Sequence, residues 1–73
     1  MTVSPAMQRY AAEIYRLQQD HEQVSLSLLS SQVEASAQAI STIVNRLNQT
    51  GCLVHEPSRG VRLTPAGEQT AMP

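Results

Sequence analysis

The first helical pattern in the chain lies near its start. Tyr10, Ile14 and Leu17 recur at i, i+4 and i+7, the spacing that places apolar side chains on one face of a helix. Ser4-Pro5 precedes this stripe and is a helix start signal, because serine accepts free N–H groups of the first turn and proline there loses no useful donor. The pattern predicts helix 1 over residues 5–20.

A second apolar stripe, with i, i+3, i+4 and i+7 spacing, runs through the middle of the chain. A tight turn over residues 34–36 precedes it, and Ser36 is the predicted cap. Gly51 follows it and is suited to the left-handed conformation that ends many helices. We expect helix 3 over residues 37–50. Its inward-facing positions are Ile40, Ile43, Val44 and Leu47.

The segment between these helices is polar and less regular. Val24 and Leu26 alternate with serines, as in a very short extended segment. Ser27 is then the predicted cap of a short helix 2 that starts at residue 28. Together with helix 3 it makes a helix-turn-helix over residues 28–50. The inward-facing positions of helix 2 are Val33 and either Leu28 or Leu29.

After Gly51 the pattern alternates with a period of 2, as it does in strands. The two alternating runs cover residues 52–56 and 61–64. Proline, serine and glycine lie between them and supply the residue types of a hairpin turn. We predict an antiparallel two-stranded wing over residues 52–64. The turn residues are Pro57, Ser58 and Gly60.

Thr64-Pro65 resembles Ser4-Pro5 and predicts the start of a fourth helix, over residues 65–72. A helix this short is marginal by itself. We therefore expect either that it packs on helix 1 or that the chain is a piece of a longer protein. Three helices, a hairpin and a fourth helix start are the elements of a winged helix-turn-helix, mainly α with a small β-hairpin, in one domain over residues 1–73.

Composition restricts the function and raises a difficulty. Six acids against five bases, all arginine, give a formal net charge of -1, whereas nucleic-acid-binding domains usually carry a basic excess. The single cysteine, Cys52, is expected to be buried, and no secretion signal or membrane segment is visible, so we expect a cytoplasmic protein. No catalytic arrangement appears, and we expect neither enzymatic activity nor a cofactor. His21 and His55 adjoin acids but are not expected to bind a metal.

Several stretches resemble a known family. RYAAEIYRL, ASAQAISTIVNRLNQTG and RGVRLTPAGE are similar to the N-terminal domain of the metal-dependent repressors of the diphtheria-toxin-repressor type, which respond to iron or manganese. The similarity extends over about residues 5–71. It implies an intracellular transcription regulator whose dimer places two copies of helix 3 in successive major grooves of double-stranded DNA.

The resemblance also implies where the functional residues fall. The family's first metal ligand, and the second ligand of its manganese-type members, fall on Arg9 and Ala12, neither of which binds a cation. The remaining ligands and the dimerisation helices of such proteins lie beyond residue 73. Only the DNA-reading part is therefore carried over. Its groove-facing positions are Ser36, Ala37, Gln38, Ala39, Ser41 and Thr42.

The apolar stripe of helix 3 leads independently to a similar face. When the stripe packs inward, the opposite side presents polar, uncharged residues. Gln38 can reach an adenine edge through its amide, while Ser41 and Thr42 can bond base edges or contact a thymine methyl group. The polar face consists of Gln38, Ser41, Thr42, Asn45 and Asn48.

Attraction to the phosphates has to come from a few arginines. We expect Arg46, on helix 3, and the wing residues Arg59 and Arg62 to face the DNA backbone. Three contacts per subunit are a weak electrostatic footprint, so we expect poor binding by a monomer and a need for dimerisation. The acids expected to lie elsewhere are Glu13, Asp20 and Glu68.

Two alternatives to a sequence-specific DNA-binding domain stay open at this stage. The near-zero net charge favours a winged helix that binds another protein. The second half of the chain is also shared with regulators of the multiple-antibiotic-resistance type, of which the chain would be a truncated example. The DNA site, the repressor or activator role, the effector and the mode of assembly, as a homodimer or through a downstream domain, are not readable from the sequence.

Overall fold

The computed structural model describes residues 4–56 and 59–71 of the chain. Within them, helices and one two-stranded sheet follow in the order that the sequence predicts for a winged helix-turn-helix. The elements are α1 (Pro5–Asp20), α2 (Leu26–Val33), α3 (Ala37–Gln49), β1 (Leu53–Glu56), β2 (Gly60–Leu63) and α4 (Pro65–Ala71).

The helix α1 lies at the centre of the fold. It spans the predicted residues, and the Ser4 side chain accepts the Met7 N–H at 3.2 Å as the predicted cap. The helices α2, α3 and α4 and the strand β2 all pack against it. Its buried stripe includes Tyr10, Ile14 and Leu17, as the spacing indicates.

The helix α2 starts earlier than the sequence predicts, and Ser27 is not its cap. Ser25 holds that position, with an extended backbone and a side chain that accepts the Leu28 N–H at 3.0 Å. The extended segment ends before Leu26, because only Val24 pairs with the wing, through an isolated bridge to Val61. Residues of α2 that face the core are Leu29 and Val33, while Leu28 is half-buried.

The turn between α2 and α3 is tight. Glu34 ends α2 in the left-handed conformation, with φ 50° and ψ 43°. Ser36 caps α3, as predicted, and accepts the Ala39 N–H at 3.1 Å. Three of the four predicted inward positions of α3 are buried, Ile40, Val44 and Leu47, and Ile43 is half-buried.

The end of α3 follows the prediction for Gly51. This glycine has φ 79° and donates its N–H to the Asn48 carbonyl at 3.2 Å, while the Cys52 N–H reaches the Leu47 carbonyl at 2.9 Å. These two bonds define a Schellman motif, which satisfies carbonyls at the helix end and turns the chain. The turn leads directly into β1.

The wing is an antiparallel pair in which Leu53 faces Leu63 and Glu56 faces Gly60. The strands are therefore 53–56 and 60–63 rather than the predicted 52–56 and 61–64. Gly60 has φ 99°, and a Cβ there would lie 2.2 Å from the Val24 carbonyl oxygen, so the backbones approach too closely for a side chain. Of the predicted turn residues, Pro57 and Ser58 lie outside the described residues.

The helix α4 packs against α1, which confirms one of the two outcomes predicted for it. Thr64 caps it by accepting the Gly67 N–H at 3.2 Å. A Cβ on Gly67 would lie 1.9 Å from the Cys52 carbonyl oxygen, so the absence of a side chain permits this approach. Cys52 is buried, as expected, and Met72 of the predicted helix lies outside the described residues.

Candidate nucleic-acid interface

The outward side of α3 carries the residues that the sequence assigns to DNA reading. Because Ile40, Val44 and Leu47 point into the core and Ile43 packs beside them, the opposite side of the helix faces solvent. The structure brings all the predicted helix positions onto this exposed surface. They are Ala37, Gln38, Ala39, Ser41, Thr42, Asn45 and Arg46, preceded by the exposed cap Ser36.

The hydroxyl groups of this surface differ in their availability. The Ser36 hydroxyl caps the helix, and the Thr42 hydroxyl donates to the Gln38 carbonyl at 2.9 Å. Within the described residues, the side chains of Gln38, Ser41 and Asn45 make no hydrogen bond to protein. These three side chains therefore offer two amides and one hydroxyl to a partner.

The three candidate phosphate-binding arginines are exposed. The one ion pair in the described part of the chain joins Arg16 to Glu13, with an N–O distance of 2.6 Å, and lies on α1. Arg46, Arg59 and Arg62 thus form no ion pair with a described residue. Their guanidinium groups remain available to a partner.

One of the three acids expected to lie away from the DNA-facing arginines, Asp20, lies near the wing. A cleft of about 580 Å³ separates the end of α1 and its following loop from the wing. Asp20 lines it together with Arg59 and Arg62, and so do Glu22 and Glu56. The expectation that Asp20 lies away from the wing arginines is therefore wrong. The reason is tertiary, because the Val24–Val61 bridge draws the loop after α1 against the wing.

A second cleft, of about 360 Å³, lies between the wing and the start of α2. His55 and Arg59 line it from the wing side, and Ser25 and Ser27 from the helix side. Arg59 therefore borders both clefts. No pattern in the sequence places His55 near Ser27, because their proximity depends on how the wing folds back.

The wing also exposes an apolar residue that the sequence analysis did not single out. Val54 is 48% exposed and is opposite Arg62 in the strand register. The inner face of the hairpin buries Leu53, Val61 and Leu63. The alternation of the strand is the signal that places Val54 on the outer face beside Arg62.

A family model supplies the identification. The model of the iron-dependent repressor N-terminal DNA-binding domain matches residues 2–61. The chain belongs to this family. The match covers most of the chain, from before α1 into β2, and includes the whole helix-turn-helix. A search of curated proteins gives no match.

Membership in the family establishes the coarse function and confirms the predicted resemblance. The chain is a DNA-binding domain of a transcription regulator family, and that family is not one of enzymes. Within residues 4–56 and 59–71, no helix has both the length and the hydropathy required to cross a membrane.

The family name implies a metal, and the residues of this chain do not fit one. Arg9 and Ala12, at the positions that the resemblance assigns to ligands, are exposed and have no metal-binding atoms. In the described part of the chain, no three His, Cys, Asp or Glu side chains converge on one point. Cys52 is buried near Thr70, and His21 Nδ1 is engaged by the Leu17 carbonyl at 3.0 Å.

Proposed function

We propose that this chain recognises a specific sequence in double-stranded DNA, with α3 in the major groove and the wing against the sugar-phosphate backbone. The observation that carries the proposal is the exposed polar face of α3 on a helix-turn-helix of this family. In such domains the second helix of the motif reads base edges, while flanking elements contact the backbone.

The roles of the base-reading residues follow from their chemistry. Gln38 has a free amide that can bond adenine in a bidentate manner, an interaction that distinguishes bases by about 1–3 kcal/mol. Ser41 has a free hydroxyl that can donate to or accept from a base edge. Thr42 presents its methyl group, because its hydroxyl proton is given to the Gln38 carbonyl. Ala37 and Ala39 allow close approach of the helix to the bases.

Backbone contacts are assigned to three arginines of α3 and the wing, which form no ion pair among the described residues. Arg46 lies in the last turn of α3, and Arg59 and Arg62 lie in the wing. Asn45, next to Arg46 on α3, can add an uncharged hydrogen bond to the DNA backbone. With a formal net charge of -1, the rest of the domain offers no general attraction to DNA. These few contacts must therefore supply most of the electrostatic affinity.

Three arginine contacts with phosphates hold one copy of the chain only weakly, so DNA binding calls for more than one copy. We infer that two copies act together, as a homodimer or through a further domain, on half-sites about one helical turn apart. Two linked copies double the phosphate contacts and make the second binding event intramolecular. The role of the protein as repressor or activator depends on where that site lies in a promoter.

The experiment is a selection from a randomised duplex pool, followed by mobility shifts over a range of salt concentrations. We expect enrichment of one sequence class and an association constant that falls linearly with salt on logarithmic axes. A folded sample that selects no sequence at low salt would sink the proposal. In that case the same exposed face of α3 belongs to a protein-binding winged helix.

A further inference from the structure

Gln18 lies where α1, β2 and α4 meet, and it takes no part in the proposed DNA contacts. It lies two residues before the end of α1 and is half-buried. Its side-chain oxygen accepts the Leu63 N–H at 3.2 Å, and its side-chain nitrogen donates to Glu68 Oε2 at 3.2 Å. One amide therefore joins α1, the end of β2 and α4.

The bond to Leu63 completes an edge of the wing. One edge of β2 pairs with β1, and the opposite edge leaves the N–H groups of alternate residues without a strand partner. Val61 donates to the Val24 carbonyl at 2.8 Å, and Leu63 donates to Gln18. Because Val61 and Leu63 are buried, each N–H group needs a protein partner. Gln18 thus replaces a strand at this edge.

The bond to Glu68 explains why the residue is glutamine. The site needs an acceptor on one side and a donor on the other, which a primary amide supplies from a single side chain. A glutamate would accept from Leu63 but would place a second carboxylate beside Glu68. A leucine of similar size would leave both neighbours unpaired.

Gln18 also lines the cleft that separates the loop after α1 from the wing. Asp20 and Glu22 contribute to one side of this cleft, and Arg59 and Arg62 to the other. No ion pair crosses it within the described residues, although carboxylates and guanidinium groups share the space. The wing is therefore held where its arginines are near acids but not bound to them.

We propose that Gln18 is a positioning residue for the wing, a role that rests on the proposed function. The bond to Leu63 sets the wing at a fixed distance from the end of α1, and the bond to Glu68 of α4 holds the amide in the orientation that the first bond needs. We call these two bonds the Gln18 clamp. This spacing keeps Arg59 and Arg62 unpaired and directed at DNA phosphates. When the clamp is lost, the wing moves against the loop, and internal pairing with Asp20 and Glu22 replaces the phosphate contacts.

The test is a double-mutant cycle between Gln18→Leu and Arg59→Ala, measured as affinity for the duplex that the wild-type chain selects. In the wild-type background, Arg59→Ala should lower affinity about tenfold, the effect of one charge-assisted hydrogen bond. In the Gln18→Leu background the same change should cost less than about threefold, because the arginine no longer reaches its phosphate. Equal losses in both backgrounds overturn the proposal.

The matched control is Gln19→Leu. Gln19 is the exposed neighbour on α1, and among the described residues its side chain bonds only the Tyr15 carbonyl of the same helix, at 3.2 Å. This variant should leave both the affinity and the effect of Arg59→Ala unchanged. If it reproduces the result of Gln18→Leu, the effect belongs to α1 in general and the clamp is refuted.

Amide hydrogen exchange separates positioning from loss of fold. In Gln18→Leu the N–H groups of Leu63 and Val61, which both lie on the free edge of the wing, should exchange faster, while the buried Ile40 N–H of α3, bonded to the Ser36 carbonyl, should stay protected. If this variant does not fold, Glu68→Ala, which removes only the second partner of Gln18, enters the same cycle. Additivity with Arg59→Ala in that variant also overturns the proposal.

The failure of the clamp is distinguishable from failure of the proposed function. If the wild-type chain binds no duplex, the proposed DNA-binding role itself fails. If it binds, and Arg59→Ala has the same cost with and without Gln18, only the positioning role fails.

Discussion

At the level of single residues, two adjacent hydroxyl groups on the exposed face of α3 differ in whether they are already hydrogen-bonded. Thr42 gives its proton to the Gln38 carbonyl, while Ser41 bonds to no other described residue. The two adjacent side chains therefore have different uses. Ser41 can exchange hydrogen bonds with a base, whereas the methyl group of Thr42 remains for apolar contact.

Substitutions at Thr42 should show whether its methyl group or its hydroxyl group contacts the DNA. Thr42→Ser removes the methyl group and should weaken binding by about 0.8 kcal/mol, roughly fourfold in Kd, for each lost apolar contact. Thr42→Val keeps the branched shape without a hydroxyl and should bind like the wild-type chain. The measurement is the Kd for the selected duplex.

Deoxyuridine in place of each thymine provides the matching change on the DNA. At the contacted base it should erase the difference between the wild-type chain and Thr42→Ser, because the methyl group is then missing from the DNA. A larger loss for Thr42→Val than for Thr42→Ser would contradict the assignment and show that the hydroxyl is the reading group.

At the scale of single elements, the cap of α2 depends on more than the local sequence. Four serines lie within residues 25–31, and several of them are chemically able to cap a helix. Ser25 takes this role because the bridge of Val24 to the wing holds the preceding backbone extended. The start of the helix-turn-helix is thus tied to the position of the wing.

The cap assignment predicts unequal costs for two neighbouring substitutions. Ser25→Ala should lower the free energy of unfolding by about 1 kcal/mol, because the Leu28 N–H loses its partner. Ser27→Ala, inside the helix and exposed, should be neutral or slightly stabilising, since alanine has the higher helix propensity. Urea unfolding monitored by circular dichroism measures both. The reverse order of the two variants would contradict the cap.

The salt dependence of DNA binding tests the arginines of α3 and the wing together. The double variant Arg46→Ala, Arg59→Ala should reduce the magnitude of the logarithmic salt slope by about 2, near 0.9 for each lost phosphate contact. Arg9→Ala, at an exposed arginine of α1, is the control and should leave the slope unchanged. A protein-binding interface with apolar anchors would respond little to the double change.

At the scale of the whole molecule, the domain has the fold of an iron-dependent repressor family, but its described residues form no metal site. The two positions that the resemblance assigns to ligands hold Arg9 and Ala12, and the described residues bring no other donor set together. A regulatory metal that takes its α1 ligands from these two positions finds no donor atom on either described side chain. We therefore expect this domain to bind DNA without help from a transition metal.

Metal removal tests this expectation directly. The affinity for the selected duplex should be the same in EDTA and in micromolar Mn²⁺ or Fe²⁺, with ionic strength matched because divalent ions also screen phosphates. Mg²⁺ at equal concentration is the control for screening. A chelator-reversible gain of tenfold or more with Mn²⁺, absent with Mg²⁺, would show that the chain does bind a regulatory metal.

Local chemistry in the sequence determined α1 and α3 and the residues that cap them. The stripes of α1 and α3 have helical spacing, and Ser4, Ser36 and Gly51 act within a few residues of themselves. Their effects on backbone conformation need no distant partner. The exposed polar face of α3 follows from the same spacing, because a buried stripe leaves its opposite side in solvent.

Only the tertiary structure decided the features that depend on residues far apart in the chain. The bridge between Val24 and Val61 selected Ser25 as the cap and brought Asp20 to the wing arginines. Gln18 found both of its partners through the packing of β2 and α4 on α1. No periodicity marks such pairs, because which polar groups meet depends on how the formed elements pack.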